Sequence, residues 1–289
     1  MLCRWDGPCR KVKTTKKSTT KKKTKKSTTK KKKTTSKPNH HQSSIRVASI
    51  NIWEGSGKNV LKKLTKQIKG MDVVALQEVP DKPWPNIRGF STVYWQGPSE
   101  HDKMGMLVSD KSEWRPTGVT RRVRSKLCDT KRDVYVTTFV HSRTKKKLTV
   151  ANVHLCGGRY DESVHHNTKS ISGLVKIKTE TILKKPADII LGDFNSDVHH
   201  FITGKPLASQ EKYLKGLGWT AARIKAWNTA PYMKLEKAGY SLVPPAKKTS
   251  VYGTTPDTIW AKDLFLVSHG VLPMGAASDH DGLYATFSA

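Results

Sequence analysis

Short apolar runs alternate with mixed polar segments from Ile45 to the last residue, and this pattern begins abruptly after a polar stretch. Apolar residues at helical spacing predict helices over 59–69 and from about 168 to 183. This order predicts an α/β fold in which sheets pack together and helices cover the outside. Eight runs have the length and composition of β-strands: 45–51, 73–77, 105–109, 134–141, 147–154, 188–191, 263–268 and 283–287.

Polar motifs close or follow the apolar runs in a fixed order along the chain. Because strand-end loops often carry functional residues, we expect these motifs to meet at one edge of the fold. Singly, their residues have ordinary roles as turn formers or surface acids; the joint order favours a site. The six motifs are Ser49-Ile50-Asn51, Leu76-Gln77-Glu78, Asn152-Val153-His154, Gly192-Asp193-Phe194-Asn195, Trp260-Ala261-Lys262-Asp263 and Ser278-Asp279-His280.

These motifs contain the side chains that hydrolysis of a phosphodiester requires. The reaction needs a divalent metal to neutralise the phosphate, a group that orients or deprotonates water, and stabilisation of the leaving alkoxide. Asn51, Glu78 and Asp279 supply hard oxygen ligands that suit Mg²⁺, with Mn²⁺ as the alternative ion. His154 and His280 supply imidazoles that titrate near neutrality.

A second set of side chains is expected to move protons and hold phosphate. Asp193 and Asn195 are two residues apart after an apolar run and a glycine, so they should point to the same side. One of them can handle a proton while the other holds the phosphate. Asp263 is expected to orient His280 through its ring N–H, as a carboxylate does in a catalytic triad.

Charge points to a polyanionic partner. The net charge is +30, and about half of it lies in residues 1–44, which contain 14 lysines and 2 arginines against one acid. High charge alone also promotes solubility. Because the rest of the chain is basic as well, we expect nucleic acid as the partner, DNA rather than RNA.

Residues 1–44 form a lysine-, threonine- and serine-rich tail in which a nine-residue unit occurs twice, at 16–24 and 25–33. Such a segment has almost nothing to bury, so we expect it to be disordered and to precede a single catalytic domain over 45–289. The tail can bind nucleic acid, carry a nuclear import signal or act as a spacer.

Four cysteines are too few and too scattered for a disulfide scaffold, which favours a reducing compartment: Cys3, Cys9, Cys128 and Cys156. The N-terminus lacks the apolar segment of a signal peptide, and no apolar run is long enough to span a bilayer. We therefore expect an intracellular monomer that is nuclear or associated with a virion or nucleoid, and not secreted.

The order and spacing of the motifs resemble the endonuclease/exonuclease/phosphatase superfamily over residues 45–289. This superfamily includes deoxyribonuclease I, exonuclease III-type abasic endonucleases, tyrosyl-DNA phosphodiesterases, sphingomyelinases, inositol polyphosphate 5-phosphatases and deadenylases. Gly-Asp-Phe-Asn and Ser-Asp-His are its most specific pieces here. The resemblance implies a four-layered α/β sandwich in which helices cover two packed mixed sheets.

The resemblance also implies roles for the site residues. Glu78 would be the principal Mg²⁺ ligand, with Asn51 beside it and Asp279 near the metal. Asp193 would activate water or protonate the leaving group, and Asn195 would hold the phosphate.

The histidines carry the rest of the implied chemistry. His280 would pair with Asp263, although the family usually has Arg-x-Asp-Tyr where this chain has Ala-Lys-Asp-Leu. His154 would contact the scissile phosphate or assist proton transfer, as in the deoxyribonuclease I and sphingomyelinase branches. Arg159, in the glycine-rich turn after His154, and Trp53, beyond Asn51, are candidate substrate contacts.

The sequence favours a Mg²⁺-dependent phosphodiesterase acting on nucleic acid, either a DNA endonuclease or a DNA-repair nuclease. One alternative is a lipid or inositol phosphate phosphatase whose tail binds an anionic membrane. Another is a non-catalytic protein that packages nucleic acid.

Overall fold

A computed structural model describes residues 43–82, 87–97, 103–128, 132–157 and 170–289, and these residues form two six-stranded sheets. The first sheet has the order β11-β12-β1-β2-β4-β3, from β1 (Ser44–Asn51), β2 (Val73–Gln77), β3 (Phe90–Gln96), β4 (Met104–Ser109), β11 (Phe265–Leu272) and β12 (Gly282–Ser288). The second has the order β5-β6-β7-β8-β10-β9, from β5 (Trp114–Arg124), β6 (Asp133–His141), β7 (Lys147–His154), β8 (Ile189–Asp193), β9 (Ser241–Leu242) and β10 (Asp257–Ala261).

Each sheet is mixed and has a parallel pair at its centre. In the first sheet β1 and β2 run parallel, with Asn51 beside Gln77 at their carboxyl ends. In the second sheet β7 and β8 run parallel, with His154 beside Asp193. The other strand pairs in both sheets are antiparallel. Both parallel pairs therefore end in polar side chains, the arrangement in which α/β sheets usually bind ligands.

Apolar side chains from both sheets meet in one core. Ile45 and Val73 of the first sheet and Val150 and Ile189 of the second are fully buried in this layer. Strands β2 and β8 are buried on both faces, which explains why 73–77 and 189–191 read as near-continuous apolar runs.

Helices cover the outer faces of the sandwich. They are α1 (Val60–Gln67), α2 (Ile171–Thr179), α3 (Val198–Thr203), α4 (Ala208–Gly216) and α5 (Ala221–Lys237). Leu64 of α1 packs on the first sheet, and Tyr232 and Leu235 of α5 pack on the second. The predicted four-layered α/β sandwich is thus confirmed.

The short helix α2 has clear sequence signals at its start and on its buried face. The Ser170 hydroxyl accepts a hydrogen bond from the Gly173 backbone N–H, which caps the helix. Leu174, Ile177 and Lys178 form its buried face at i, i+3 and i+4. The lysine in this apolar stripe is unusual, and it lies directly behind the site described below.

Most predicted strands are present with small shifts of their ends, but the prediction over 263–268 is displaced to β11. Four observed strands, β3, β5, β9 and β10, were not predicted.

The structure also joins Cys128 to Cys156 in a disulfide, with Cα atoms 5.7 Å apart. The sequence did not predict this bond. Since disulfides are typical of oxidising compartments, the bond does not support the expected reducing compartment.

Residues 1–42 of the predicted tail and Arg159 lie outside the described residues. Within the described part of the chain, no helix is long and apolar enough to cross a membrane.

Candidate active site

Four of the predicted residues meet because the two parallel strand pairs end side by side. Asn51 ends β1, Glu78 follows β2, His154 ends β7 and Asp193 ends β8. The Nε2 atom of His154 lies 3.4 Å from Glu78 Oε1 and 3.8 Å from Asp193 Oδ2. Residues that are 142 positions apart in the chain therefore share one polar cluster.

The Asn51 amide links the two carboxylates of this cluster. Its Nδ2 donates to Glu78 Oε1 at 2.9 Å and to Asp193 Oδ2 at 3.1 Å. Its Oδ1 accepts the backbone N–H of Trp53 at 3.0 Å. Asn51 is fully buried, so its amide fixes the distance between the Glu78 and Asp193 carboxylates. The sequence had predicted Asn51 to lie beside the metal.

The backbone is strained where it presents these side chains. Glu78 and Asn195 have φ angles of 50° and 47°, a region that non-glycine residues rarely occupy and that often marks functional sites. Gly192 precedes Asp193 with a φ of 148°. A Cβ atom at Gly192 would lie 1.9 Å from the Val153 carbonyl oxygen, so this position requires glycine.

His280 reaches the cluster from the loop before β12. The Ser278 hydroxyl donates to the Asn51 carbonyl at 2.8 Å and accepts the His280 backbone N–H at 3.1 Å. This places the His280 Nε2 3.9 Å from Asp193 Oδ2. Asp279 lines the same cavity, and burial raises its pKa.

The carboxylate that orients His280 is Asp257, and the prediction of Asp263 is wrong. His280 Nδ1 lies 2.8 Å from Asp257 Oδ2. Asp257 begins β10, which runs antiparallel to β8, so it pairs directly with Asp193. Asp263 follows the other end of β10, where it is exposed in a turn. The one local signal was that Asp257 lies shortly before the apolar run 259–261, and this signal does not indicate its role.

Arg132 is a site residue that the sequence did not reveal. Its Nη1 lies 2.8 Å from the Nδ1 of His154. A guanidinium can only donate, so Nδ1 must accept, and the proton of the neutral imidazole is on Nε2. Burial, assisted by Arg132, lowers the pKa of His154 well below 6.5. His154 thus presents a buried N–H to the carboxylates, and this atom has no hydrogen-bond partner among the described residues.

His280 and Asp193 carry opposite charges at neutral pH. Burial opposes the charge on His280, but Asp257, Asp193 and Asp279 raise its pKa to about 10. Burial alone would raise the pKa of Asp193, yet the neighbouring His280 and His154 and the Asn195 N–H hold it below its usual value. His280 is therefore protonated, and Asp193 ionised, at neutral pH.

Other residues of the motifs build the floor beneath the cluster. Gln77 Nε2 donates to Asn152 Oδ1 at 2.7 Å and to Ser49 Oγ at 3.2 Å. Asn152 Nδ2 donates to the Leu76 and Gly105 carbonyls at 3.1 and 3.0 Å. These buried bonds join the two sheets directly under the site, which makes the floor rigid.

A cavity of about 710 Å³ opens above the cluster. Asn195 and Trp53 line it, and the Trp53 side chain is 46% exposed. Asn195 Nδ2 donates to the Leu155 carbonyl at 3.1 Å, and the Asn195 N–H donates to Asp193 Oδ1 at 2.7 Å. The far wall comes from α4, α5 and the 250–256 loop through Ser209, Gln210, Tyr213, Leu214, Trp227, Ser250, Tyr252, Thr254 and Pro256.

Residues 48–280 match the model of the endonuclease/exonuclease/phosphatase family. The chain belongs to this family. Its members hydrolyse phosphoester bonds and depend on a metal. None of the curated proteins is significantly similar to the chain in sequence.

Solved structures of the family have the same fold. A family protein from Bacteroides thetaiotaomicron is 12% identical with a TM-score of 0.56, covering 86% of this chain and 98% of its own. Truncated Caenorhabditis elegans TDP2 is 16% identical with a TM-score of 0.54, and the match covers 85% of this chain and 98% of the TDP2 chain. A third structure is the inositol polyphosphate 5-phosphatase domain of SPsynaptojanin in complex with inositol (1,4)-bisphosphate and calcium. It is 15% identical with a TM-score of 0.51, and the match covers 85% of this chain and 84% of that domain.

The residues present fit the metal that the endonuclease/exonuclease/phosphatase family requires. Ligand atoms of Glu78, His154 and Asp193 lie within 4.8 Å of one another, as do those of Asp193, Asp257 and His280. Both histidines carry a proton on the Nε2 that faces the cluster, so neither is a ligand as it stands. The remaining donors are carboxylate oxygens, and one buried oxygen of Asp279 has no partner among the described residues. Such a donor set suits Mg²⁺ or Mn²⁺ better than Zn²⁺.

Proposed function

We propose that this protein is a Mg²⁺-dependent phosphodiesterase that cleaves nucleic acid, most simply a DNA endonuclease or DNA-repair nuclease. The observation that carries the proposal is the meeting of Glu78, Asp193, His154 and the His280–Asp257 pair on the floor of one cavity. Glu78 and Asp279 would hold the ion, with Asn51 beside them. The bound metal would neutralise charge on the scissile phosphate.

The protonation states support one set of proton transfers. Asp193 is ionised and can accept a proton from the attacking water, which favours water activation over protonation of the leaving group. His280 is protonated and can stabilise the phosphate charge or donate to the leaving oxygen. His154 Nε2–H and Asn195 can donate hydrogen bonds to phosphate oxygens. Asp257 keeps the His280 ring in place.

The cavity walls favour a nucleotide over an inositol phosphate. Trp53, Tyr213 and Tyr252 give the walls three exposed aromatic rings, on which bases can stack. Among the described residues that line the cavity, Arg132 is the one lysine or arginine. An inositol polyphosphate needs several cations to match its phosphate groups.

A basic edge strand supports the same choice. Arg121 and Arg124 of β5 and the following Lys126 are exposed. Arg124 is the strand partner of Asp133, the residue that follows Arg132 in the sequence. These cations would contact backbone phosphates on either side of the scissile bond. The lysine-rich tail would add a second contact with nucleic acid. We further propose a monomer located in a nucleus or with a virion or nucleoid.

The test is cleavage of labelled plasmid, single-stranded DNA, RNA and abasic duplex, each with Mg²⁺ or EDTA. We expect Mg²⁺-dependent cleavage by the wild type that is lost in Asp193→Ala. The matched control is Asp263→Ala, which removes an exposed carboxylate outside the site and should retain activity. The preferred substrate identifies the branch of the family.

Two outcomes would contradict the proposal. Hydrolysis of phosphoinositides without cleavage of any nucleic acid would favour the phosphatase alternative. Tight binding of nucleic acid without hydrolysis of any phosphoester would favour the packaging alternative.

A further inference from the structure

Lys178 of α2 is a fully buried lysine directly behind the active site. Its Nζ donates to the Cys156 carbonyl at 2.9 Å and to the Phe194 and Asn195 carbonyls at 2.8 Å each. The same Nζ lies 3.9 Å from the centre of the Trp227 ring. Among the described residues, three carbonyl oxygens and one aromatic face therefore surround the charge.

This environment satisfies a lysine ammonium completely. An ammonium has three N–H donors, and each of them has a carbonyl acceptor here. A buried charge is costly unless it is hydrogen-bonded in this way, and lysine is almost never fully buried otherwise. The aromatic face adds a cation–π contact. A core position that needed only packing would be filled more simply by methionine or leucine.

The three carbonyls belong to the two turns that carry catalytic side chains. Cys156 lies two residues after His154, and Phe194 and Asn195 directly follow Asp193. Asn195 is in a strained conformation, and nothing in its local sequence favours a φ of 47° except the intrinsic tolerance of asparagine. A single cation thus holds both turns against each other from below.

We propose that Lys178 is the positioning residue that fixes the His154 and Asp193–Asn195 turns for catalysis. It acts as an internal cation whose three hydrogen bonds set the distance between the turns. Because Trp227 lies between Lys178 and the substrate cavity, the same residue also supports the cavity wall. This inference rests on the proposed phosphodiesterase activity.

The test compares Lys178→Met with Lys234→Met. Methionine keeps the volume of the side chain but removes the charge and the three donors. Lys234 of α5 is the matched control, because its Nζ also donates to a carbonyl, that of Thr179 at the end of α2, away from the catalytic turns. The readouts are kcat and KM for bis(p-nitrophenyl) phosphate with Mg²⁺, and amide hydrogen exchange over residues 154–157 and 193–197.

We expect Lys178→Met to lower kcat by about 10–100-fold with KM within about threefold, the usual cost of losing a supporting contact behind a metal site. Amide exchange in both segments should become at least about tenfold faster. Lys234→Met should leave kcat and the exchange in both segments close to wild type. A residue that only stabilises the fold would lower the melting temperature without this change in kcat.

Unchanged exchange in both segments, or a kcat within twofold of wild type, would overturn the proposal. If the wild type hydrolyses no phosphodiester, the proposed function fails, and hydrogen exchange alone decides the role of Lys178. If Lys178→Met does not fold, Lys178→Arg and Lys234→Arg take their places. Arginine keeps the charge, but its planar guanidinium cannot reproduce three converging hydrogen bonds. We therefore expect Lys178→Arg to lose less kcat than Lys178→Met would. No loss of kcat in Lys178→Arg would overturn the proposal.

Discussion

The Nη1 of Arg132 lies 2.8 Å from the Nδ1 of His154, although Arg132 precedes β6 and His154 ends β7. This contact determines which ring nitrogen of His154 carries its proton. We expect ¹⁵N NMR in EDTA to show a neutral His154 with its proton on Nε2 and no titration at or above pH 6.5. In Arg132→Gln the His154 pKa should rise, because a cation is removed from its neighbourhood. A proton on Nδ1 in the wild type would contradict this assignment.

The choice between Asp257 and Asp263 can be settled by two conservative variants. Asp257→Asn should lower kcat by about 10²–10⁴-fold, because the orienting carboxylate and the charge that keeps His280 protonated are both lost. Asp263→Asn should remain within about twofold of wild type. Steady-state rates with Mg²⁺ measure both, and equal losses in the two variants would reject the structural assignment.

The raised pKa of His280 predicts a pH-dependent contribution to stability. The pKa is 6.5 in the unfolded chain and about 10 in the folded protein, so the folded state binds the proton more tightly. The contribution is therefore complete below about pH 6.5 and is lost as pH rises towards 10.

Urea unfolding in EDTA at pH 6, 8 and 9.5 can test this dependence. The difference in the free energy of unfolding between wild type and His280→Gln should be largest at pH 6 and smallest at pH 9.5. A difference that stays constant across this range would show that the folded-state pKa of His280 is not raised.

Glu78 should control the metal requirement. Glu78→Gln removes the charge but keeps the Asn51 neighbour, so activity should need at least about tenfold more Mg²⁺ for half its maximum. Glu113→Gln is the control, because Glu113 pairs with His141 and Arg143 at the other end of the second sheet. Normal activity of Glu78→Gln at low Mg²⁺ would remove Glu78 from the metal site.

The basic edge of β5 should contribute to the salt dependence of binding. Replacing Arg121, Arg124 and Lys126 by Gln in an Asp193→Asn background should reduce the slope of log K against log salt by about 0.9 per lost phosphate contact on duplex DNA. The control replaces three exposed lysines of the α1 region, 62, 66 and 69. Equal reductions in both triple variants would indicate diffuse attraction rather than a binding edge.

Most strands that are buried along their length could be predicted from the sequence, but the buried strand β10 and the exposed or short strands β3, β5 and β9 could not. Residues 73–77 were predicted with the observed bounds because continuous burial gives a continuous apolar run, and 147–154 was predicted with the observed bounds although it contains polar residues. The second half of β5 contains three arginines among the four residues 121–124, which resembles a charged loop. Helix α5 contains Pro231, which argues locally against a helix although tertiary packing retains it.

The site was predictable where a residue followed its own buried strand. Asn51, Glu78, His154 and Asp193 meet the expectation because parallel strands place their carboxyl ends at one edge. Asp257 was missed because its role depends on antiparallel pairing with Asp193, which no local pattern encodes.

Arg132 and Lys178 were missed for a similar reason. Arg132 reaches His154 only through the pairing of β6 with β7. Lys178 carried a local signal, a charged residue on the apolar face of its helix, but its three carbonyl partners come from separate turns.

Gly192 carries no functional group, yet the distance between β7 and β8 at the site depends on it. A methyl group there would meet the Val153 carbonyl, and the next pair along these strands is His154 and Asp193. A wider spacing between Val153 and Gly192 would also move His154 away from Asp193 at the next pair. Inactivating changes in this protein therefore need not fall on any residue that donates, accepts or ligates, and a search limited to reactive side chains would overlook one of its most vulnerable positions.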